Sequence, residues 1–351
     1  MPADRFEYGK MRNRCTSLSI ACLMLSGFLA SVCSSSANAD DFFQGKTVEL
    51  IVPTGPGGGF DTLTRLVGRY IGRHLAGDPT VVVRNRPGAG GLAAANYLYN
   101  RAPQDGTSIG MLEQSIYETQ LLKMEGLLAD VTKFNWLGRV MSNNAVLFAW
   151  HTAAVKKIED AYRTELVVAA NGSSSLMRWT ALKKLTGIKL NLIVGHQGTA
   201  DAALAMERGE VDALSAPWSI FRVAHADWLR DKKVNILLQT GLDRAPDLPD
   251  VPRYVDQGKT DEQRQMLEMF SLSDHLGRSI AAPPGVPADR VAELRSAFTA
   301  TLHDPDFVAE TKVLQLALDP LPGPALQSIV LKSFDYSPDL VEKAQALVHQ
   351  E

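Results

Sequence analysis

The sequence predicts an α/β protein of two lobes, each a mostly parallel sheet flanked by helices, with a ligand cleft between the lobes. Three observations predict it. Short apolar runs alternate with helix-period segments over residues 47–112, and the same plan recurs over residues 165–240. Between these blocks, Trp136–Trp150 is apolar and nearly free of turn signals, as a strand crossing from one lobe to the other would be. Arg278–Pro283 supplies a return strand, so that the second lobe is inserted in the first.

The first strand is Thr47–Val52, a short apolar run suited to a buried parallel position. After a glycine cluster, Leu63, Leu66, Val67, Tyr70, Ile71 and Leu75 recur at helical spacing, with Arg65, Arg69 and Arg73 on the solvated stripe. Asp78-Pro79 breaks the chain before the strand Thr80–Val83. Gly91–Tyr99 is helical, Pro103-Gln104-Asp105-Gly106 turns, and Thr107–Leu112 is the third strand. The second lobe repeats this with strands Glu165–Ala170, Leu190–Val194, Val211–Ser215 and Val234–Thr240, and helices Leu176–Leu185 and Ala200–Arg208. Beyond the return strand, Val291, Leu294, Phe298 and Leu302 mark a helix after Pro287. The expected division is residues 40–141 and 278–351 for the first lobe and 142–277 for the second.

Residues 1–39 read as a secretory signal peptide, with Met11 a second candidate start. Arg12 and Arg14 form a positive region, Leu18–Val32 an apolar one, and Ala37-Asn38-Ala39 a small-x-small cleavage site. The expected destination is the periplasm. All three cysteines, Cys15, Cys22 and Cys33, lie in this leader. The mature chain therefore has no disulfide, no thiolate ligand and no cysteine nucleophile. The net charge of −3 includes a positive leader, so the mature chain is more negative still, and no basic block suits nucleic acid.

Two glycine-rich turns join a strand to a helix: Thr54-Gly55-Pro56-Gly57-Gly58-Gly59-Phe60-Asp61, and Asn85-Arg86-Pro87-Gly88-Ala89-Gly90-Gly91. Such a junction leaves backbone N–H groups unpaired at the positive end of a helix, which suits an anion such as a small carboxylate. The first turn is no nucleotide phosphate loop, because no Gly-Lys-Ser/Thr follows, and its spacing differs from the dinucleotide fingerprint. In the second lobe, Asn171-Gly172-Ser173-Ser174-Ser175 offers hydroxyls and amides at a matching place. Asp61 sits where a helix N-cap would be, and Phe60 would form an apolar wall. Arg178 has the reach to pair with a carboxylate, and Trp218 either stacks on ligand or packs in the second core. His196 has no companion at ligand spacing, so no metal is expected. The seven histidines are scattered, and neither a Gly-x-Ser-x-Gly elbow before a helix nor His-Glu-x-x-His is present, so no catalytic residues and no cofactor are assigned.

These segments, with Ala102-Pro103-Gln104-Asp105-Gly106-Thr107, Gly209-Glu210-Val211-Asp212, Asp250-Val251-Pro252 and Ala281-Ala282-Pro283-Pro284-Gly285-Val286-Pro287, occur in order over residues 42–323. In this the chain resembles the periplasmic substrate-binding proteins of tripartite tricarboxylate transporters, the Bug or TctC-like family. The resemblance implies a type II periplasmic binding protein fold that closes over its ligand. It implies no enzymatic activity, a usually monomeric receptor, and delivery to membrane permease subunits. It also implies that one carboxylate is held by two loops, one per lobe. Carried onto this chain, these are Thr54, Gly57, Gly58, Gly59, Phe60 and Asp61, and Asn171, Gly172, Ser173, Ser174 and Ser175; apart from the resemblance, Trp218 is a further candidate ligand contact. Di- and tricarboxylates, acidic amino acids and aromatic acids all carry the group so recognised. The chain departs from the family at Val194-Gly195-His196-Gln197-Gly198, where many members have Pro-Tyr-x-Gly. It departs again at Glu113-Gln114-Ser115, where a carboxylate near the cleft would repel an anion or select one with a donor group. A ligand sensor with the same fold, or a periplasmic enzyme acting on a carboxylate, are the alternative readings.

Overall fold

A computed structural model of the chain describes residues 42–170, 173–196 and 198–348. The expected signal peptide, the three cysteines, Asn171 and Gly172 lie outside the described residues.

Strand β1 (Thr47–Val52) leads through the glycine turn into helix α1 (Gly59–Ile71), then β2 (Thr80–Asn85), α2 (Leu92–Asn100) and β3 (Ser108–Leu112). β1 lies between the other two and pairs parallel with both, Leu50 facing Val83 on one side and Ile109 on the other. The pleat sends neighbouring side chains to opposite faces. Leu50 packs with Leu63, Leu66 and Val67 of α1, whereas Ile51 packs with Ala94, Ala95 and Leu98 of α2. Helix α3 (Ile116–Leu121) follows β3.

The expected crossing strand is two strands. β4 (Asn135–Met141) belongs to the first sheet and β5 (Ala145–Trp150) to the second. Ser142, Asn143 and Asn144 join the two strands. The Asn143 amide donates to Asp274 O at 2.8 Å, and Asn144 O accepts from the Trp218 amide at 2.9 Å.

The second sheet continues with β6 (Leu166–Ala169), α4 (Ser173–Thr186), β7 (Leu190–Ile193), α5 (Thr199–Glu207) and β8 (Ala213–Pro217). The short helices α6 (Trp218–Ala224) and α7 (Ala226–Arg230) lead to β9 (Val234–Gln239). The last strand of the βαβαβ run begins at Ala213, two residues later than its apolar pattern implies. Val146 and Phe148 of β5 face Leu214, Met206 and Phe221, while Leu147 and Ala149 face the core shared with Trp179 and Leu182.

Helix α8 (Asp261–Leu276), for which no sequence expectation exists, carries the chain back to β10 (Arg278–Ala282). Then come α9 (Ala288–His303), α10 (Pro305–Val313), the short β11 (Leu321–Pro322), α11 (Gly323–Lys332) and α12 (Pro338–Val348). The first sheet runs β11-β4-β10-β3-β1-β2, the second β7-β6-β8-β5-β9. Both are mixed. The βαβ strands pair parallel as expected, and the strands that cross between sheets, β4, β5 and β10, pair antiparallel. The C-terminal helix α12 packs on α4 and α8, so the end of the chain touches the helical layer of the second sheet.

At the return, Gly277 has φ +52, and a Cβ there would stand 2.2 Å from Met141 O. Only glycine lets the two crossing segments approach so closely.

Candidate functional site

In an open α/β sheet, ligands bind beyond the C-terminal ends of the strands where the strand order reverses direction. That point lies between β1 and β3 in the first sheet and between β6 and β8 in the second. The segments leaving these four strands meet at one cleft of about 550 Å³. Thr54, Phe60, the turn Pro87–Gly91 and Glu113-Gln114-Ser115 form one wall. Ser174, Ser175, Arg178, Thr199 and Ser215-Ala216-Pro217 form the other, with Asn143 and Asp274 where the lobes join.

Of the residues expected from the sequence, Thr54, Phe60, Ser174 and Ser175 line this cleft. The hydroxyls of Thr54 and Ser175 come from opposite walls, and both are buried with no hydrogen-bond partner among the described residues. A polar group in that state carries a desolvation cost that a ligand could relieve.

The glycine loop is positioned rather than loose. Helix α1 starts at Gly59 with Gly58 as N-cap, so Asp61 is the third residue of the helix and not its cap. Its carboxylate reaches back and accepts from the Gly57 amide at 2.9 Å and from Asn85 Nδ2 at 2.8 Å, and it pairs with Arg65 Nε at 2.9 Å. The Arg65 contact first, then the two amides, hold this carboxyl at about 2, below the ordinary 3.8. Asp61 is thus an anchor with its acceptors already engaged. Gly57 has spent its amide on it, and neither residue lines the cleft. Gly58 and Gly59 are exposed at its margin. A Cβ on either would meet nothing within 4 Å and neither has a positive φ, so packing does not require glycine there. As the first helical amides, those of Gly59 and Phe60 have no intrahelical acceptor.

Ser173 opens α4, and Ser174 and Ser175 follow in its first turn. Arg178, one turn on, is no surface residue. It is 4% exposed, pairs with Asp274 at 2.9 Å, and donates Nε to Phe270 O at 3.3 Å. Trp218 does not line this cleft. Its indole donates to Asp247 at 2.9 Å and faces a second cavity of about 540 Å³. Extended chain alternates sides, so Asn143 faces the first cavity while Ser142 and Asn144 face the second. His196, in the loop after β7, lines neither.

Several residues at the site carry no sequence signal. Asp274 is the hub: besides Arg178, its carboxylate takes the Thr240 hydroxyl and Asn143 Nδ2. Arg278 lies behind the wall, its guanidinium 3.6 Å over the Phe60 ring and its Nη1 donating to Gln114 Oε1 at 3.1 Å. Burial lowers its pKa, opposed by Glu113 and Asp274. Glu118, on α3 beneath the cleft, is 2% exposed, and burial pushes its carboxyl up to about 8 against the opposing effects of Ser273 and Arg178. Among the described residues no group of three or more His, Cys, Asp or Glu side chains is placed to hold a metal ion.

A family model described as tripartite tricarboxylate transporter family receptor, TctC, matches residues 64–328. A curated relative from Pseudomonas sp., the UPF0065 protein in the tcbD-tcbE intergenic region, is 26% identical over 311 residues, covering 83% of this chain and 84% of its own. Among solved structures, a TctC solute-binding protein from Polaromonas superposes with a TM-score of 0.65 at 19% identity, covering 87% of this chain and 98% of that one. MatC from Rhodopseudomonas palustris with bound malate superposes with a TM-score of 0.58 at 21% identity, covering 88% and 100%.

Proposed function

We propose, from the premise that this chain belongs to the tripartite tricarboxylate transporter receptor family, that it captures a small organic carboxylate in the cleft between its lobes. The observation that carries this reading is the pair of partnerless hydroxyls, Thr54 Oγ1 and Ser175 Oγ, on facing walls. With the free amides at the start of α1 and the donors at the start of α4, they form two sets of hydrogen-bond donors, one on each lobe. Segments 142–144 and Gly277 would act as the hinge between lobe 1 (residues 40–141 and 278–351) and lobe 2 (142–277). Closure would exclude water and strengthen bonds to an anion. The malate held by the structural neighbour MatC is a carboxylate of this kind.

The protein would be exported to the periplasm by removal of residues 1–39 and would hand its ligand to permease subunits, acting as a receptor and not an enzyme. Asn171, Gly172, Ser173, Gly58, Gly59 and Phe60 complete the proposed contacts.

Calorimetric titration with carboxylates and with their matched amides and alcohols tests the reading. Binding of the carboxylates alone is expected. Equal affinity for the uncharged analogues overturns it.

A further inference from the structure

The charges around the cleft narrow the ligand class, on the premise that the cleft is the carboxylate site proposed above. Glu113, Arg178 and Asp274 line it, and Arg278 lies directly behind Phe60 and Gln114. Asn171, Gly172 and Gln197, which lie outside the described residues, carry no formal charge. Arg178 and Asp274 neutralise one another at 2.9 Å.

Glu113 and Arg278 behave differently. β10 runs antiparallel to β3 with Ser279 opposite Leu112, so one step further the register brings Arg278 opposite Glu113. Facing residues of opposite charge normally join. Here, among the described residues, neither makes an ion pair. Arg278 is turned onto the Phe60 ring and the Gln114 side chain, using one of its five donors on Gln114. Glu113 is turned onto Ser115, whose backbone amide donates to Oε2 at 2.7 Å and whose hydroxyl donates to the same oxygen. Oε1 of Glu113 has no partner among the described residues. The cleft therefore presents one open acceptor, Glu113 Oε1, on its wall, while the unpaired charge of Arg278 stands just behind that wall under Phe60 and Gln114.

We infer that the ligand is a small acid with one carboxylate and one hydrogen-bond donor, ammonium in preference to hydroxyl. The carboxylate is drawn toward Arg278 and the donor amides, and the donor group toward Glu113 Oε1. A second carboxylate would find Glu113 and no further cation, and an uncompensated charge is costly to desolvate.

The test is titration calorimetry of the purified protein with a four-carbon series: butyrate, γ-hydroxybutyrate, α-aminobutyrate, γ-aminobutyrate, succinate and butyramide. At least one aminobutyrate should bind about tenfold more tightly than butyrate or succinate, the scale of one charge-assisted bond. Glu113→Gln keeps an oxygen for Ser115. It should reduce the aminobutyrate to the level of butyrate and raise the affinity for succinate, a gain that a misfolded variant cannot give. If succinate binds more tightly than every donor-bearing monocarboxylate, or Glu113→Gln changes neither ligand, this inference falls and the carboxylate reading stands. If nothing in the series binds, this inference falls, and if butyramide matches butyrate the carboxylate reading falls with it.

Discussion

The guanidinium of Arg178 lies 2.9 Å from Oδ1 of Asp274, and the two side chains are only 4% and 1% exposed. Arg178 belongs to α4 of the second sheet's helical layer, and Asp274 to the last turn of α8, just before the chain returns to the first sheet. Removing one partner leaves a buried charge with nothing opposite it. Asp274→Ala should cost about 3–5 kcal/mol and Arg178→Ala a similar amount, read as lowered urea midpoints. A double variant with apolar residues at both positions should recover part of that loss, and if it is no more stable than either single variant the pairing is not what the single variants report.

Thr54 and Ser175 should behave in the opposite way. Their hydroxyls have no partner among the described residues, so Thr54→Val and Ser175→Ala should leave the unfolding midpoint unchanged or raised. Ligand affinity should fall about tenfold for each, the scale of one hydrogen bond to a charged group. Loss of stability without loss of affinity would remove these hydroxyls from the site.

Asp61 acts through the glycine loop. Its carboxyl is held at about 2, chiefly by Arg65 and then by the Gly57 amide and Asn85. A depressed carboxyl contributes stability that is present above its unfolded value near 3.8 and is lost as pH falls through about 2. The acid limb of the stability profile should therefore be shallower in Asp61→Asn, and ligand affinity should drop because one uncharged amide oxygen cannot serve Gly57, Asn85 and Arg65 together.

Glu118 gives the reverse sign. With its carboxyl raised to about 8 from 4.5, the folded protein binds a proton that the unfolded chain releases. The associated stability is complete below 4.5, declines as pH rises, and is gone above about 8. Glu118→Gln should flatten denaturation midpoints across that window. An unchanged slope would show that another group carries it.

Gly277→Ala places a methyl group 2.2 Å from Met141 O at φ +52. About 2–4 kcal/mol of destabilisation is expected from strain and overpacking together, seen as a lowered thermal midpoint. A change at Gly58, where a Cβ meets nothing, should leave that midpoint unchanged and act on ligand affinity alone.

Much of the architecture was legible because it rests on local rules. Helical spacing and apolar runs mark β1, β2, α2 and β3 to within a residue or two, and α1 less closely, its cap falling at Gly58 rather than Asp61 and its end at Ile71 rather than Leu75. α8 was not legible. Its sequence mixes Asp, Glu, Gln and Ser with Met and Leu, and its burial comes from α4 and α12, which lie far away in sequence. The crossing strand looked continuous because Ser142, Asn143 and Asn144 interrupt it without glycine or proline. The break shows only in the pairing, β4 lying in one sheet and β5 in the other.

The chain alone fixes the family, the doubled α/β plan and the places where loops leave the strands, because these depend on residue order and local periodicity. Which side chains meet at the cleft was decided by tertiary structure. Asp61 is claimed by Gly57, Asn85 and Arg65, Trp218 is turned to the other cavity by Asp247, and Arg278 and Glu113 are brought opposite each other by the register of β3 and β10. The physical reason is that a charge or a hydroxyl acts according to the partners around it, and the fold sets those partners at every range, from a turn for Asp61 and Gly57 to pairing of distant strands for Glu113 and Arg278.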